Sequence, residues 1–529
     1  VINLSLGEPE IEPRRDIVVK ALGNAAAAGV VPVVAAGNDF QVTGPGSVGS
    51  PANTPAAITV AASTLGGDGT RPDVIAPFSS AGPTPVSLRT KPDVTAPGVG
   101  VVSSFPPNIF GPLDGTSMAA PHVAGAAALL LQRHPTWTVE QVKSALASTG
   151  APVHPPGGTG EVGVLREGGG RIDLVKADQP LLFTDPSSLG WGLVRRGFAS
   201  TKQIATTDAG GGARPWTVTV DPQSLPRGAT LTALETTLVA GAPLGVRLTV
   251  SRSARPGDGA GFIVLTRGAD VRRIAFWFHV EVPRLGLDPH QTLRRPGVYS
   301  GNTKGRASRV SSYRYPELGF SEGVPTRLGG PEQVFRFTLR RRVANFGVVV
   351  VGHARGVHVS PRLVAGEDEN RLVGYTALPT SLNPYQDYAH AEPVVGAVLP
   401  GPGRYEFVFD TPTGATPGAF RFRFWINDTT PPSIRLLEGT VPAGRTIRFA
   451  VRDSGSGVDP RSLEVRVGTK RFPFSYSHGV LSIRPKGLGA GPHSVQVTAS
   501  DYQETKNMED VGPVLPNTRV LHTKVTLHP

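Results

Sequence analysis

The sequence predicts a parallel-sheet α/β domain at the start of the chain, followed by all-β sandwich domains. In the first 180 residues, near-continuous apolar runs of strand length alternate with helix-like segments, as in sheets that are covered on both faces. Beyond that point, short alternating stretches are separated by glycine and proline turns. The 529 residues include 65 glycines and 51 prolines but remain 39% hydrophobic, which indicates many turns rather than disorder.

Two apolar strands with a helix between them begin the α/β domain. The strands are predicted at residues 1–7 and 30–37, and a third apolar run follows at 56–63. Strand, helix and strand in this order predict a right-handed βαβ unit of a parallel sheet. A further helix is predicted near residue 138, because Thr138 and Gln141 have the spacing of a capping box.

We expect four domains, since a chain of this length exceeds a single core. The α/β part spans residues 1–180, and three sandwich modules follow at 181–284, 285–428 and 429–529. The last boundary is marked by "NDTTPPSIRLLEG", in which prolines stiffen the entry into a new set of strands.

Positive charge is concentrated in the β modules. Residues 1–180 hold 11 basic and 14 acidic side chains, whereas residues 181–529 hold 42 and 27. The arginines are scattered and do not alternate with stacking aromatics, so no nucleic-acid partner is predicted. An anionic cell-wall or extracellular polymer remains a candidate partner for the basic β modules.

Two absences from the sequence restrict the function further. The chain has no cysteine, which excludes disulfides, thiolate metal sites and a cysteine nucleophile. No apolar run reaches the roughly 18 residues of a membrane span, so none is predicted. The chain opens on Val1 within an apparent strand, and we expect its natural N-terminus to lie further upstream.

One serine precedes a long run of small residues in "DGTSMAAPHVAGAAALLL", residues 114–131. The run is too uniformly apolar for a surface helix, so we expect a buried helix with Ser117 at its N-terminus. Free backbone N–H groups and the helix dipole favour a developing negative charge there. A serine that only caps the helix would occupy the same position, so this stretch alone leaves both interpretations open.

A second motif favours catalysis. Asn38 follows Gly37 directly after the predicted strand at 30–36, at the strand end where open α/β sheets bind ligands. An amide in that place can donate a hydrogen bond to an oxyanion.

These motifs resemble those of the subtilisin-like serine proteases, or subtilases. The motifs that carry the resemblance are "NLSLG", "AAGN", "FSSAGP", "KPDVTAPG", "GTSMAAPHVAG" and "GGGRIDL". They cover residues 1 to about 178, and the eleven-residue serine motif is highly specific.

The resemblance implies a serine-type endopeptidase that cleaves polypeptide substrates through an acyl-enzyme. Ser117 would be the nucleophile, and its backbone N–H together with the Asn38 side chain would form the oxyanion hole. No cofactor is required for this chemistry. The implied substrate-binding residues are Ser5, Leu6 and Gly7, which would pair with the substrate backbone, and Ala35, Ala36 and Gly37, which would line the pocket before the scissile bond.

The catalytic base is missing from this pattern. His122 lies about 140° round the helix from Ser117, so we expect a packed structural histidine that faces away. In subtilases the triad aspartate lies in a D-[ST]-G motif and the histidine in H-G-T-H, both ahead of the serine. We expect both motifs upstream of Val1, and we expect this chain alone to be inactive. The D-S-G at residues 453–455 follows the serine and is predicted to be a turn in the last sandwich.

The β modules also resemble parts of known proteins. Residues 181–284 occupy the position of the fibronectin-like modules of larger subtilases, residues 285–428 suggest a jelly roll, and residues 429–529 resemble bacterial immunoglobulin-like repeats. The resemblance predicts a secreted or cell-surface protein.

A structural calcium ion is a further candidate in the last module. Asp453, Asp459 and Asp501 supply the carboxylates that hard cations prefer, but no EF-hand spacing is present. No metal ligand is therefore assigned.

Two other functions stay open. Residues 115–119 approximate the nucleophile elbow of α/β-hydrolases, although that fold needs a strand directly before the serine and "FGPLDGT" suggests a loop. The second alternative is a non-catalytic secreted binding or adhesion protein, formed by a degenerate protease domain and the basic β modules.

Overall fold

A computed structural model of the chain describes residues 1–10, 13–14, 16–66, 72–316, 329–374, 394–507 and 517–529. The chain divides into two compact units. The first comprises Val1–Val282 and Tyr315–Gly319, and the second comprises Pro283–Arg314 and Phe320–Pro529.

A four-stranded, all-parallel sheet lies at the centre of the first unit, as predicted. Its strands, in spatial order, are β1 (Ile2–Leu4), β2 (Pro32–Ala35), β3 (Ile58–Ser63) and β4 (Val94–Pro97). Strands β2 and β3 are buried along their whole length, which explains why their sequences are continuously apolar. Strand β1 pairs only with β2 and is an edge of the sheet.

Among its described residues, the α/β part also contains a hairpin and six helices. The hairpin pairs β5 (Val101–Phe105) with β6 (Ile109–Leu113) outside the parallel sheet. The helices are α1 (Ile17–Ala27), α2 (Phe40–Thr43), α3 (Thr116–Arg133), α4 (Val139–Ser148), α5 (Val164–Glu167) and α6 (Leu174–Asp178). The predicted capping box is confirmed, because the Gln141 N–H donates to the Thr138 hydroxyl and the Gln141 side chain accepts from the Thr138 N–H.

Helix α3 is buried on one side only. Its covered face packs on the sheet core with Ala119, Ala120, Val123, Ala127 and Leu130. Its open face is exposed and consists of Pro121, His122, Gly125, Ala128 and Leu129. The prediction of a buried helix is therefore wrong for one side of α3, because no described residue covers the open face.

The "KPD" part of the fourth motif anchors β4. The carboxylate of Asp93 accepts from Lys91 Nζ (2.6 Å), Lys143 Nζ (2.8 Å) and the Thr59 N–H (2.8 Å). Burial is the main reason that the pKa of Lys91 falls to about 7, and Asp93 opposes that fall. These contacts connect the start of β4 to Thr59 of β3 and to Lys143 of α4.

A two-sheet sandwich follows within the first unit. Its strands are β7 (Leu181–Asp185), β8 (Ser188–Arg195), β9 (Ala199–Ala209), β10 (Trp216–Ser224), β11 (Ala229–Ala233), β12 (Thr237–Leu238), β13 (Leu244–Val250), β14 (Gly257–Arg267) and β15 (Asp270–Glu281). The sheet orders are β12-β10-β14-β15-β8 and β11-β13-β9-β7, and one apolar core lies between them.

The second unit contains two more sandwiches. The strands of the first are β16 (His290–Thr292), β17 (Gly297–Asn302), β18 (Glu332–Leu339), β19 (Asn345–His353), β20 (Ser360–Ala365), β21 (Asp368–Gly374), β22 (Val394–Val398), β23 (Gly403–Asp410) and β24 (Ala419–Ile426). Its sheets are ordered β16-β18-β23-β20-β21 and β17-β24-β19-β22. Phenylalanines from both sheets fill its core.

The last sandwich contains β25 (Ser433–Leu436), β26 (Thr440–Pro442), β27 (Ile447–Arg452), β28 (Glu464–Val467), β29 (Lys470–Arg471), β30 (Phe474–Ser477), β31 (Val480–Ile483), β32 (Gly491–Ser500) and β33 (Thr518–His528), with helix α7 (Tyr502–Asn507) between its last two strands. Its sheets are ordered β25-β27-β31-β30 and β26-β33-β32-β28-β29. The fold class predicted from the sequence, α/β and then all-β, is confirmed, whereas the module names stay predictions. Within the described ranges, none of the helices has the length and hydropathy that crossing a membrane requires.

Candidate active site

Ser117 lies in the first turn of α3, next to the end of the edge strand. Its hydroxyl donates to the Ser5 carbonyl oxygen (3.5 Å), and the Ser5 hydroxyl donates to the Ser117 carbonyl oxygen (2.8 Å). The fold therefore brings together two predicted site residues that are 112 positions apart.

Asn38 is held in one orientation by Thr116. Its Oδ1 accepts from both the N–H and the hydroxyl of Thr116 (3.0 Å each), and the Thr116 Oγ1 accepts from the Gly37 N–H (3.2 Å). With Oδ1 occupied, the Nδ2 group is directed to the other side. A Cβ added to Gly115 would lie 3.6 Å from both Asn38 Nδ2 and Ser117 N, so the two predicted oxyanion donors border one space.

The turn that carries Asn38 requires a glycine. Gly37 has φ +106°, and an added Cβ would lie 2.8 Å from Ser80 Oγ. Ser80 Oγ in turn accepts from the Asp39 N–H (3.1 Å). Sequence reasoning missed both Thr116 and Ser80. Both lie within motifs that carry the resemblance, Thr116 in "GTSMAAPHVAG" and Ser80 in "FSSAGP", but neither motif indicates which residue each hydroxyl would contact.

The predicted substrate-binding residues divide into exposed and buried sets. Ser5, Leu6 and Gly7 are exposed and continue from the edge strand β1, with Leu6 57% exposed. Ala35 and Ala36 are buried, and their side chains join cores on opposite faces of the sheet. Their side chains are therefore not exposed to a ligand.

In the part of the chain that the structure describes, no basic or acidic side chain is hydrogen-bonded to the Ser117 hydroxyl. His122 Nδ1 bonds instead to the Met118 carbonyl oxygen (2.8 Å). His122 faces away, as predicted, but it is exposed rather than packed because it lies on the open face. In the second unit, the D-S-G aspartate, Asp453, accepts from the Gly457 N–H (2.7 Å) within a turn.

The nucleophile-elbow alternative does not fit this geometry. The stretch before Ser117 was expected to be a loop, but β6 is a strand of the separate hairpin. An elbow requires the serine to follow directly from a strand of the main sheet. Here Gly115 bonds through its N–H to the Gly98 carbonyl oxygen (2.8 Å), and α3 begins from that turn.

An open cavity of about 530 Å³ runs along the open face of α3. His122, Gly125 and Leu129 line one side of it, and Ile172 and Leu174 line the other. Leu129 is 50% exposed on this face.

The carboxylates proposed for calcium lie in the last sandwich and are arranged differently from the prediction. Oxygens of Asp428, Asp453 and Asp501 lie within 4.8 Å of one another. Asp459 is not part of this group and accepts from the Arg461 N–H (2.9 Å). Burial, followed by repulsion from Asp428 and Asp453, raises the pKa of Asp501 to about 9. Calcium binding stays a prediction.

Comparison with known proteins indicates the family of the first part of the chain. The subtilase family model matches residues 1–176. Over 149 residues, or 28% of this chain, the sequence is 44% identical to subtilisin amylosacchariticus of Bacillus subtilis subsp. amylosacchariticus and 43% identical to a subtilisin of Bacillus pumilus. Over 81 residues, or 14% of this chain, it is 47% identical to the minor extracellular protease Vpr of Bacillus subtilis, covering 10% of that protein.

The match covers only part of these relatives. The chain spans 35% of the first subtilisin and 48% of the second. Together, the family match, the two subtilisins and the Ser117–Asn38 arrangement lead to one conclusion. Residues 1–176 of this chain belong to the subtilase family.

Proposed function

We propose that the chain contributes the nucleophile and the oxyanion hole of a serine endopeptidase that hydrolyses peptide bonds. One observation supports this most strongly: Asn38 Nδ2 and the Ser117 backbone nitrogen border the same space at Gly115, each 3.6 Å from the position of an added Cβ. An N-terminal cap would need neither a clamped amide nor a second donor.

Each residue has a distinct role in this proposal. Ser117 Oγ attacks the scissile carbonyl carbon, and the carbonyl oxygen becomes an oxyanion that accepts from the Ser117 N–H and Asn38 Nδ2. Thr116 keeps the amide oriented, so no reorganisation is needed as charge develops. The substrate backbone lies along residues 5–7, the exposed continuation of β1.

The base and the acid that orients it come from residues outside this sequence. Serine oxygen is a weak nucleophile until a base removes its proton, and the described residues provide none at Ser117. The open face of α3 supports this assignment, since an apolar helix face beside the nucleophile is where a further part of the domain would pack. This chain alone is then inactive.

A secreted location accompanies this proposal. One relative carries the word extracellular in its name. A secreted protease would meet polypeptide substrates outside the cell, and the chain has no cysteine that an oxidising environment would pair.

Labelling with a fluorophosphonate tests the proposal. The complete gene product should form an adduct on Ser117, located by peptide mass spectrometry, and should hydrolyse a fluorogenic peptide, whereas Ser117→Ala should do neither. Asn24→Ala, on the exposed side of α1, serves as the matched control and should keep both activities. A complete gene product that contains D-[ST]-G and H-G-T-H but forms no adduct at Ser117 refutes the enzyme and favours the adhesion alternative.

A further inference from the structure

The sandwich that contains β16–β24 carries arginines at one of its two ends. Arg340, Arg341 and Arg342 follow β18 in the turn that leads to β19, and all three are exposed. Thr338 pairs with Arg404 across β18 and β23, which places the exposed Arg404 beside that turn.

A distant chain segment adds two more arginines at this end. Arg294 and Arg295 are exposed and follow β16, which runs parallel to β18. The Leu293 N–H donates to the Arg336 carbonyl oxygen (2.8 Å), so the chain continues toward the same end as β18. The Tyr299 hydroxyl donates to the Arg295 carbonyl oxygen (2.7 Å) and fixes the backbone there. We call this group the arginine end: Arg294, Arg295, Arg340, Arg341, Arg342 and Arg404.

Most of this charge is uncompensated. Arg404 lies 3.4 Å from Glu367, which also pairs with Arg336. For the other five arginine side chains, the described part of the chain provides neither an ion pair nor a hydrogen bond. Five exposed guanidinium groups that repel one another are costly to gather without a partner, and they attract multiply charged anions.

We propose that the arginine end binds an anionic polysaccharide through its carboxylate or sulfate groups. A guanidinium presents a planar fork that matches such groups in a bidentate manner. The arginines come from three segments spread across the end of the sandwich rather than from a pocket, which suits a polymer with repeating charges more than a single small anion.

The aromatic residues at this end favour a polysaccharide over a single-stranded nucleic acid. Single-stranded nucleic acids need exposed rings on which bases stack. Tyr405 is buried and donates to the Gly401 carbonyl oxygen (2.7 Å), and the half-buried Tyr299 is bonded as described above. The arginine end and its charge do not depend on the activity proposed for Ser117.

The opposite end of the same sandwich provides a matched control. Lys304, Arg306 and Arg355 lie there, since the Thr303 N–H bonds to the Gly418 carbonyl oxygen and residue 355 follows the far end of β19. Neutralising these three removes the same charge from the same module.

The experiment measures fluorescence anisotropy of two labelled oligosaccharides, one from heparin (sulfate and carboxylate) and one from polygalacturonate (carboxylate only), with the full chain at several salt concentrations. Arg340→Gln/Arg341→Gln/Arg342→Gln should weaken binding about tenfold at low salt and flatten its salt dependence. Lys304→Gln/Arg306→Gln/Arg355→Gln should stay within about twofold of the unchanged chain. Replacing the three turn arginines by lysine should cause an intermediate loss of about threefold, because the charge is kept but the planar fork is lost.

Thermal unfolding of each variant shows whether it is folded. If the Arg340 triple variant does not fold, Arg294→Gln/Arg295→Gln takes its place with an expected loss of about threefold. Equal losses from the two triple variants would mean that net charge alone drives binding and would overturn the proposal. The proposal would also be overturned if neither oligosaccharide binds, or if a single-stranded oligonucleotide of equal charge binds more tightly.

Discussion

The two sides of Ser117 differ in how much of a catalytic site this chain supplies. On the Asn38 side, the amide, Thr116 and the turn at Gly37 form one hydrogen-bonded group that is continuous with the buried strand β2. On the His122 side, α3 presents its open face and a cavity to solvent. One sheet and one helix therefore suffice to build the oxyanion hole, whereas the base depends on a part of the domain that packs elsewhere.

This contrast has a physical origin. Oxyanion donors are mostly backbone and short side chains, which strand ends and helix N-termini place without further support. A general base needs a side chain held at hydrogen-bond distance by a third group, and this requires a surrounding shell.

Removal of the Asn38 amide, on the Asn38 side of Ser117, should have the largest effect on catalysis. In an enzyme that includes the base, Asn38→Leu should lower kcat about 10²- to 10³-fold with little change in KM. Removal of one oxyanion-hole donor of subtilisin has an effect of this size. Steady-state kinetics on a peptide substrate measure it, and Asn24→Ala should leave kcat unchanged. A loss below about threefold would assign the oxyanion to other donors.

Substitution of two neighbouring leucines measures how much the covered and the open face of α3 each contribute to stability. Leu130 is 1% exposed within the sheet core, so Leu130→Ala should reduce the free energy of unfolding by about 3 kcal/mol. Leu129 lies on the open face, and Leu129→Ala should cost less than about 0.5 kcal/mol in this chain. Urea titrations of the two variants give both values. Similar costs would mean that the open face is covered in solution.

Comparison of Gly37 with Gly29 distinguishes the cost of backbone strain from the cost of a steric clash beside Asn38. At Gly37, positive φ and a 2.8 Å approach to Ser80 combine, so Gly37→Ala should destabilise by about 2 kcal/mol. Gly29 has φ +85° but nothing within 4 Å of an added Cβ, so Gly29→Ala should cost about 1 kcal/mol. Thermal unfolding distinguishes them. Equal costs would show that Ser80 moves aside freely.

The buried carboxyl of Glu167, at the end of α5, should make the stability of the chain depend on pH. Burial, followed by Glu161, raises the pKa of Glu167 to about 9 from an ordinary value of 4.5. The folded chain then keeps a proton on Glu167 that the unfolded chain releases, so the contribution of Glu167 to the free energy of unfolding should fall as pH rises from about 4.5 to about 9, by at most about 1.4 kcal/mol per pH unit. Urea unfolding at several pH values measures the slope. Glu167→Gln should flatten it, whereas Glu140→Gln, at an exposed position in α4, should not.

Local patterns were enough to predict the parallel strands, the cap of α4 and the position of Ser117 at a helix start. Each depends on residues within one turn or one strand, where spacing determines which face a side chain joins. The two-sided burial of α3 was predicted wrongly, because the segment is apolar all round whether or not a neighbour covers it.

Sequence patterns were sufficient to predict the order of the α/β and β parts, the subtilase resemblance of the first 176 residues and the candidates Ser117 and Asn38. The structure was needed to find that Thr116 orients Asn38, that Ser5 contacts Ser117, and that six arginines from three segments share one end of a sandwich. These are contacts between residues far apart in the chain. Such contacts arise from strand register and helix packing, which no local pattern encodes.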